Sequence, residues 1–283
     1  MRGLFSIGLL FFCLQLWSQS RHWSEEINHV SRFLGPNALP VEPMDDARTD
    51  TLLQLYQGSQ YHYSAGDRTF NLWSSFKAPL FTDRVSIHLW MVPLERFSLS
   101  EQVVEERNQW DSSRSGTSVG DLNVATKIIL WKETQKRPAI TGVINLRTAS
   151  GGNLAQARFI DAPGYTFKVG AGKTYNVVPG FIKGWRWYAN AGLRVYQTRR
   201  NNAPQNDLFV YGIGWDIDGA RWRLSQALTG YIGYFDQGDK PMVYRLDWRS
   251  MSNGLWDLQV GYQWGSRDFN YHTFSAGLIL NFS

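Results

Sequence analysis

From residue 51 onward, apolar and polar side chains alternate with a period of two. Within 255–265, Trp256, Leu258, Val260, Tyr262 and Trp264 fall on one face, and Asp257, Gln259, Gly261, Gln263 and Gly265 on the other. Successive side chains of a strand point to opposite sides, so this spacing predicts a strand with one apolar face. The same rhythm returns in 242–250, where Met242, Tyr244, Leu246 and Trp248 oppose Arg245, Asp247 and Arg249, with Val243 out of pattern. Phe274, Ala276, Leu278, Leu280 and Phe282 oppose Thr273, Ser275, Gly277 and Asn281 at the end of the chain. Upstream, Trp185 to Val195 alternates cleanly, and 209–218 does so with Leu208 and Val210 breaking the polarity. No comparable stretch carries a helical period. The pattern predicts strands at 52–63, 68–78, 84–94, 121–132, 138–148, 164–176, 184–197, 207–217, 221–235, 242–250, 255–265 and 270–282.

That is an even number, about twelve, each near the ~9–11 residues with which a tilted strand crosses a bilayer. Short connections at Thr82-Asp83, 134–136, 218–220 and 252–254 alternate with longer ones at 97–119, 149–163 and 198–206. Short turns on the periplasmic side and long loops outside are the habit of outer-membrane barrels. A soluble sandwich or lipocalin-like barrel would bury the apolar face instead. The polar faces here are rich in Gly, Ser, Thr and Asn with mixed Arg and Asp, and the apolar faces end in Trp or Tyr, as interfacial girdles do. The expected fold is therefore all-β: a transmembrane antiparallel up-and-down barrel over 51–283.

Composition sharpens this. Trp (13), Tyr (13) and Phe (16) reach 15% of 283 residues, alongside 26 Gly and only 10 Pro, which suits many short aromatic strands joined by turns. Charged residues are 19% and hydrophobic ones 43%, a balance that excludes general disorder. The net charge of +5 is spread out and forms no basic stripe, which argues against a nucleic-acid partner.

The first twenty residues read as a signal peptide: Arg2, an apolar run from Leu4 to Trp17, then Ser18 and Ser20 for cleavage. Cys13 lies inside this segment after the bulky Phe12, an unsuitable lipoprotein site. The mature chain would then hold no cysteine, so burial and backbone hydrogen bonds alone must stabilise it. Residues 21–50 form an extension of different character. Ser24 before Glu25-Glu26, with Ile27, Val30, Phe33 and Leu34 on one face and Gly35-Pro36 as a stop, predicts a short helix. Pro40 and Pro43 then keep the chain extended, either in the lumen as a plug or at the periplasmic mouth as a tether.

The C-terminal run from Ser275 to Phe282 resembles the assembly signal of outer-membrane proteins, with Ser275, Gly277, Leu280 and Phe282 in its four defined positions. Ser283 follows the aromatic where many members end on it. The resemblance implies insertion by the barrel-assembly machinery. A fainter resemblance covers roughly 118–235. Gly120-Asp121-Leu122 opening a strand, then Pro138 to Gly152 ending in a small-residue loop, is similar to the barrel family associated with the phenol meta-cleavage pathway. That family is related to fatty-acid channels and implies transport of hydrophobic compounds. Ala149-Ser150-Gly151 lacks the proline usual in its loop.

Inward positions on this register are Lys77, His88, Lys127, Arg147, Lys168, Arg186, Arg194, Arg223, Arg245, Asp247, Arg249 and Asp257. The excess of positive charge would favour anionic solutes, whereas pairing among these groups, as between Arg245, Asp247, Arg249 and Asp257, would stiffen and plug the barrel. The leading expectation is a passive channel for a small hydrophobic or anionic solute. A structural or surface-interaction barrel with a plugged lumen is the alternative, its work done by loops such as the charged 97–119, with outer-membrane lipid and lipopolysaccharide as partners and Arg199-Arg200 placed to meet lipopolysaccharide phosphates. An outer-membrane phospholipase is a third reading, but Ser252-Asn253-Gly254 has Ser250 and Met251 before it and no histidine, and serine needs a base in reach. The histidines His22, His29, His62, His88 and His272 show no close metal-ligand spacing. Gly170 to Thr174 looks like a truncated phosphate loop but has no following helix. The expectation is thus no catalytic residue, no metal and no cofactor.

Overall fold

The computed structural model describes residues 23–177, 180–235, 238–252 and 254–282. The expected signal segment 1–20 and Ser283 lie outside them. Thirteen strands follow in order: β1 Leu53–Ser64, β2 Asp67–Leu80, β3 Thr82–Leu99, β4 Ser115–Ser118, β5 Asn123–Trp131, β6 Ala139–Arg147 and β7 Gly164–Asn176. They continue as β8 Ile182–Arg200, β9 Ala203–Gly219, β10 Trp222–Gly233, β11 Met242–Ser250, β12 Trp256–Ser266 and β13 His272–Phe282. Every pairing is antiparallel, and β1 meets β13 from Leu53↔Phe282 to Tyr63↔His272, which closes twelve strands into a barrel. The thirteenth, β4, pairs only with the far end of β3, from Glu95↔Ser118 to Ser98↔Ser115.

The faces are inverted relative to a water-soluble protein. Leu146, Val169, Leu193, Ile213 and Leu278 are exposed on the outside, while Thr69, Asn71, Thr141, Asn145, Thr166 and Asp216 are buried inside. A sheet edge in lipid would leave backbone groups unpaired, and closure removes it. Trp131, Trp185, Trp215 and Trp256 are exposed near one end of the wall, and Tyr61, Phe70, Tyr165 and Phe274 near the other, the positions of two interfacial girdles. The first end carries the start of β1, the finish of β13 and the connections β2–β3, β5–β6, β7–β8, β9–β10 and β11–β12; it is called the turn end. The opposite, loop end carries connections 100–122 and 148–163.

Three expectations are corrected. Residues 198–206 are not a long loop: β8 and β9 run on, pairing through to Arg200↔Ala203, so the connection is Asn201-Asn202. Together with Ala65-Gly66, where Gly66 has φ +83°, it puts tight turns at the loop end as well. The helix expected over 24–34 is replaced by two 3-10 turns, Trp23–Glu25 and Ser31–Phe33. A short helix, α1 at Glu101–Glu106, lies instead within the long connection expected at 97–119, capped by the Ser100 hydroxyl, which accepts from the Val103 N–H at 3.3 Å. Its Val103 and Val104 pack on Phe97 and Leu99 of β3.

Candidate functional site

The extension 23–52 runs through the barrel interior. Near the loop end, Ile27, Leu34, Ala38, Leu39 and Val41 pack with Leu154, Ala157 and Ile160 of connection 148–163 and with Tyr196, Leu208, Val210, Tyr231 and Val243 of the wall. Leu208, Val210 and Val243 are the residues that broke the polar face of their strands. Those breaks mark where the extension's apolar side docks, because an apolar segment inside a polar lumen needs an apolar seat.

Deeper in, the chain is extended and its carbonyls are bound by wall cations. Arg194 donates to Pro40 O at 2.9 Å, Arg245 to Val41 O and to Glu42 O at 3.4 Å, and Lys168 to Pro43 O at 3.4 Å. Arg186 donates to Asp46 O at 2.7 Å and Ala47 O at 2.9 Å, and Lys127 to Arg48 O at 2.7 Å. A helix would have used these carbonyls internally; an extended strand of chain leaves them free for charged donors. The extension's own acids complete the pairing: Lys168 with Glu42 at 2.9 Å, and Lys127 with Asp50 at 2.5 Å and Asp45 at 3.4 Å. Arg48 reaches across to Asp216 and, at 3.2 Å, to Asp218.

Lys77 likewise pairs with Asp50 of the extension, at 3.5 Å, and further charged wall residues pair with carboxylates of the wall and its connections. Arg147 is bound to Asp121, its Nε at 2.8 Å; Arg223 to Asp218 at 2.6 Å; Arg249 to Asp257 at 3.0 Å. Asp257 also accepts the Ser252 N–H at 2.6 Å. Ser252, of the tripeptide weighed as a nucleophile, lies in the β11–β12 turn, its hydroxyl donating to Trp256 O at 2.6 Å. Asp247 borders a cavity together with Arg245 and Arg249. Among the described residues, no group of three or more His, Cys, Asp or Glu is arranged to hold a metal ion.

This cavity, about 350 Å3, separates residues 36–43 of the extension from the wall made by β1–β3 and β11–β13. Tyr56, Trp73, Trp90, Lys77 and His88 line it with Gln54, Gln60, Gln259 and Gln263. The extension thus fills the β5–β10 side of the lumen and leaves the opposite side open. The sequence reading missed the lumen aromatics by assigning aromatic residues to the lipid face. Parity was the available signal: Trp73 is in step with Lys77, and Trp90 with His88. A bulge hides it, since Val92 and Pro93 of β3 together oppose Trp73, between Leu72↔Leu94 and Ser74↔Met91. Pro93 has no N–H to give, and a bulge tolerates that.

At the seam, Ser275 and Gly277 face inward opposite Gln60 and Gly58, while Leu280 and Phe282 pair with Leu55 and Leu53. The Tyr56 ring lies over both glycines; a Cβ at Gly277 would stand 2.6 Å from Tyr56 Cζ. At the loop end a charged cluster is closed to solvent. Arg158 donates to Glu95 at 2.7 Å, Asp67 at 3.1 Å and Thr69 at 2.8 Å, and Arg107 donates to Asp67 at 2.7 Å. It ties both long connections to β2 and β3.

The geometry defines a transmembrane antiparallel β-barrel of the outer-membrane type. No family model matches the chain, and no curated protein matches it by sequence. Among solved structures, the COG4313 outer membrane channel from Pseudomonas putida F1 is similar, with a TM-score of 0.62 at 11% identity, over 86% of this chain and 100% of that one. NanC porin (TM-score 0.49, 8% identity, 81% of this chain and 100% of that one) and KdgM porin (0.48, 10%, 81% and 99%) are also similar.

Proposed function

We propose that the chain is a passive channel of the outer membrane, with the turn end in the periplasm, passing a small hydrophobic or anionic solute beside its own N-terminal plug. The cavity carries this reading. It is bordered by aromatic rings for an apolar body and by Lys77, Arg245 and Arg249, for whose positive charge a solute anion would compete with Asp50, the carbonyls of the plug and Asp257, and it lies where the plug leaves the wall uncovered. The likeness to a channel of the same fold supports it, as does the resemblance to the phenol meta-pathway barrels, whose expected solutes are hydrophobic. On the same reading the chain is exported by residues 1–20, inserted by the barrel-assembly machinery through its C-terminal signal, and is not an enzyme. The second reading, a plugged structural barrel, is favoured by the pairing of Lys127, Lys168, Arg186, Arg194 and Arg245 with the extension.

Single-channel recording in planar bilayers separates the two. Small, reproducible steps from the refolded full chain, reduced when an aromatic carboxylate is added, are expected of the channel. A heat-modifiable barrel that inserts but conducts nothing would establish the plugged alternative.

A further inference from the structure

We infer that the outer face of β2, β3 and β4 at the loop end is a binding surface for lipopolysaccharide, with Arg68 and Arg96 taking its phosphate groups. The outward residues of β2, read toward the loop end, are Phe76, Ser74, Leu72, Phe70 and Arg68; those of β3 include Ile87, Leu89, Leu94 and Arg96. Both strands therefore change from apolar to arginine at one level. Ten residues separate Phe70 from Leu80 at the turn end. At ~3.3 Å per residue and a tilt near 40°, they span roughly 25 Å, the height of an outer-membrane apolar belt. Arg68 and Arg96 thus sit at the headgroup level of the outer leaflet.

Their pairing places them together. Phe70 opposes Arg96 and Arg68 opposes Ser98, so the two arginines are diagonal neighbours, with Cβ atoms roughly 7 Å apart. Both are exposed, and among the described residues neither side chain has an ion-pair, hydrogen-bond or ring partner. The lumen arginines behave otherwise, each bound to a carboxylate, a carbonyl or both. Guanidinium groups facing lipid headgroups without protein partners are complementary to phosphate, which they can meet with two parallel N–H donors.

The surroundings match the rest of such a lipid. Directly below lie Tyr61, Phe70, Leu72 and Leu94, each about 40% exposed, for acyl chains. Beside the arginines, Ser98, Ser115 and Thr117 turn exposed hydroxyls outward, for sugar hydroxyls. Ser115 and Thr117 belong to β4, the strand that closes no part of the barrel; it widens this one face. A phosphorylated glycolipid with several acyl chains fits all three layers. The inference rests on the barrel's orientation in the outer membrane and not on its conducting a solute.

The test is titration of the refolded full chain in detergent with purified lipopolysaccharide, read by native mass spectrometry. The comparison is with the R68E/R96E double variant and with K240E, an equal kind of charge change on another loop. Heat-modifiable migration confirms folding in each case. Affinity should fall by about tenfold or more in R68E/R96E and stay unchanged in K240E. Wild-type protein should likewise bind dephosphorylated lipopolysaccharide less tightly, a comparison that needs no variant. Equal binding by folded R68E/R96E, indifference to dephosphorylation, or equal affinity for phosphatidylglycerol would overturn it. Conductance of the same samples reports separately on the channel reading.

Discussion

Arg158 has no solvent contact, and neither do Asp67 and Glu95, which it joins. Removing one partner of such a cluster leaves an uncompensated buried charge, at ~3–5 kcal/mol, far more than a surface pair is worth. Arg158→Met should therefore lower the temperature at which the barrel's gel mobility shifts, and should expose 148–163 to limited proteolysis before the strands yield. Loss of barrel resistance with that loop still protected would place the cluster's role elsewhere. A different constraint acts at Gly277. A methyl group there meets the Tyr56 ring at 2.6 Å and the Gln57 carbonyl at 2.7 Å, and overpacking of this kind costs ~1–3 kcal/mol. Gly277→Ala should lower the urea midpoint of unfolding, and Tyr56→Ala in the same chain should restore part of the loss, because the ring can be removed and the carbonyl cannot. The glycine of the assembly signal was readable as a motif position. Its packing reason was not, because Tyr56 lies over 200 residues away in sequence and becomes its neighbour only through the closing seam.

At the scale of elements, strands were legible; the plug was legible as one of two placements of the extension, and its conformation was not. Period-two alternation located β7 and β11 to the residue and most others within a few, because one face meets lipid and the other polar side chains along the whole strand. Helical spacing at Ile27, Val30 and Leu34 misled for a physical reason: these side chains are buried against the barrel and not along a helix of their own, and carbonyls of the same stretch accept from other elements, Glu26 O from Asn108 at 3.0 Å and His29 O from the Tyr196 hydroxyl at 2.6 Å. β4 and α1 left no periodic trace because each is too short to repeat. If wall cations hold the plug, Arg194→Gln with Arg245→Gln should raise single-channel conductance; an unchanged step size would mean that these two arginines do not hold it. His29 gives the plug a pH dependence. It is fully buried, its Nδ1 accepts the Arg199 N–H at 3.2 Å, and its Nε2 has no partner among the described residues. Burial first, then Arg200 and Arg199, lowers its pKa from 6.5 to about 4. The seated imidazole thus binds fewer protons than a released one, so seating is unaffected above pH 6.5 and weakens as pH falls toward 4. By linkage the loss is about 2 kcal/mol at pH 5. Asp239, whose carboxyl burial raises above its usual range, accepts the Ser31 N–H at 3.3 Å and acts in the opposite sense. Protease sensitivity of residues 23–40 should rise between pH 6.5 and 5 in the wild type and change less in His29→Gln.

For the molecule as a whole, the inverted faces decide what a substitution does. Leu278 and Ser75 are both wall residues close to the seam, one exposed to lipid and the other bordering the cavity. A water-soluble barrel would reverse their roles, tolerating a charge at Leu278 and rejecting one at Ser75. In a bilayer, an arginine on the lipid face near midplane costs ~2–4 kcal/mol, because nothing there replaces its hydration. The lumen offers water and, around Ser75, the rings of Tyr56 and Trp90, which stand opposite it on the two neighbouring strands; a guanidinium over such a ring gains ~0.5–2 kcal/mol. Leu278→Arg should therefore reduce the yield of folding into vesicles while leaving the conductance of whatever does fold unchanged. Ser75→Arg should fold in normal yield and carry less current, since its side chain enters the space through which solute is proposed to move. The opposite pairing of effects, with Ser75→Arg misfolding and Leu278→Arg harmless, would mean that the outer face meets water and the interior is a packed core, and the membrane orientation with its channel would fall together.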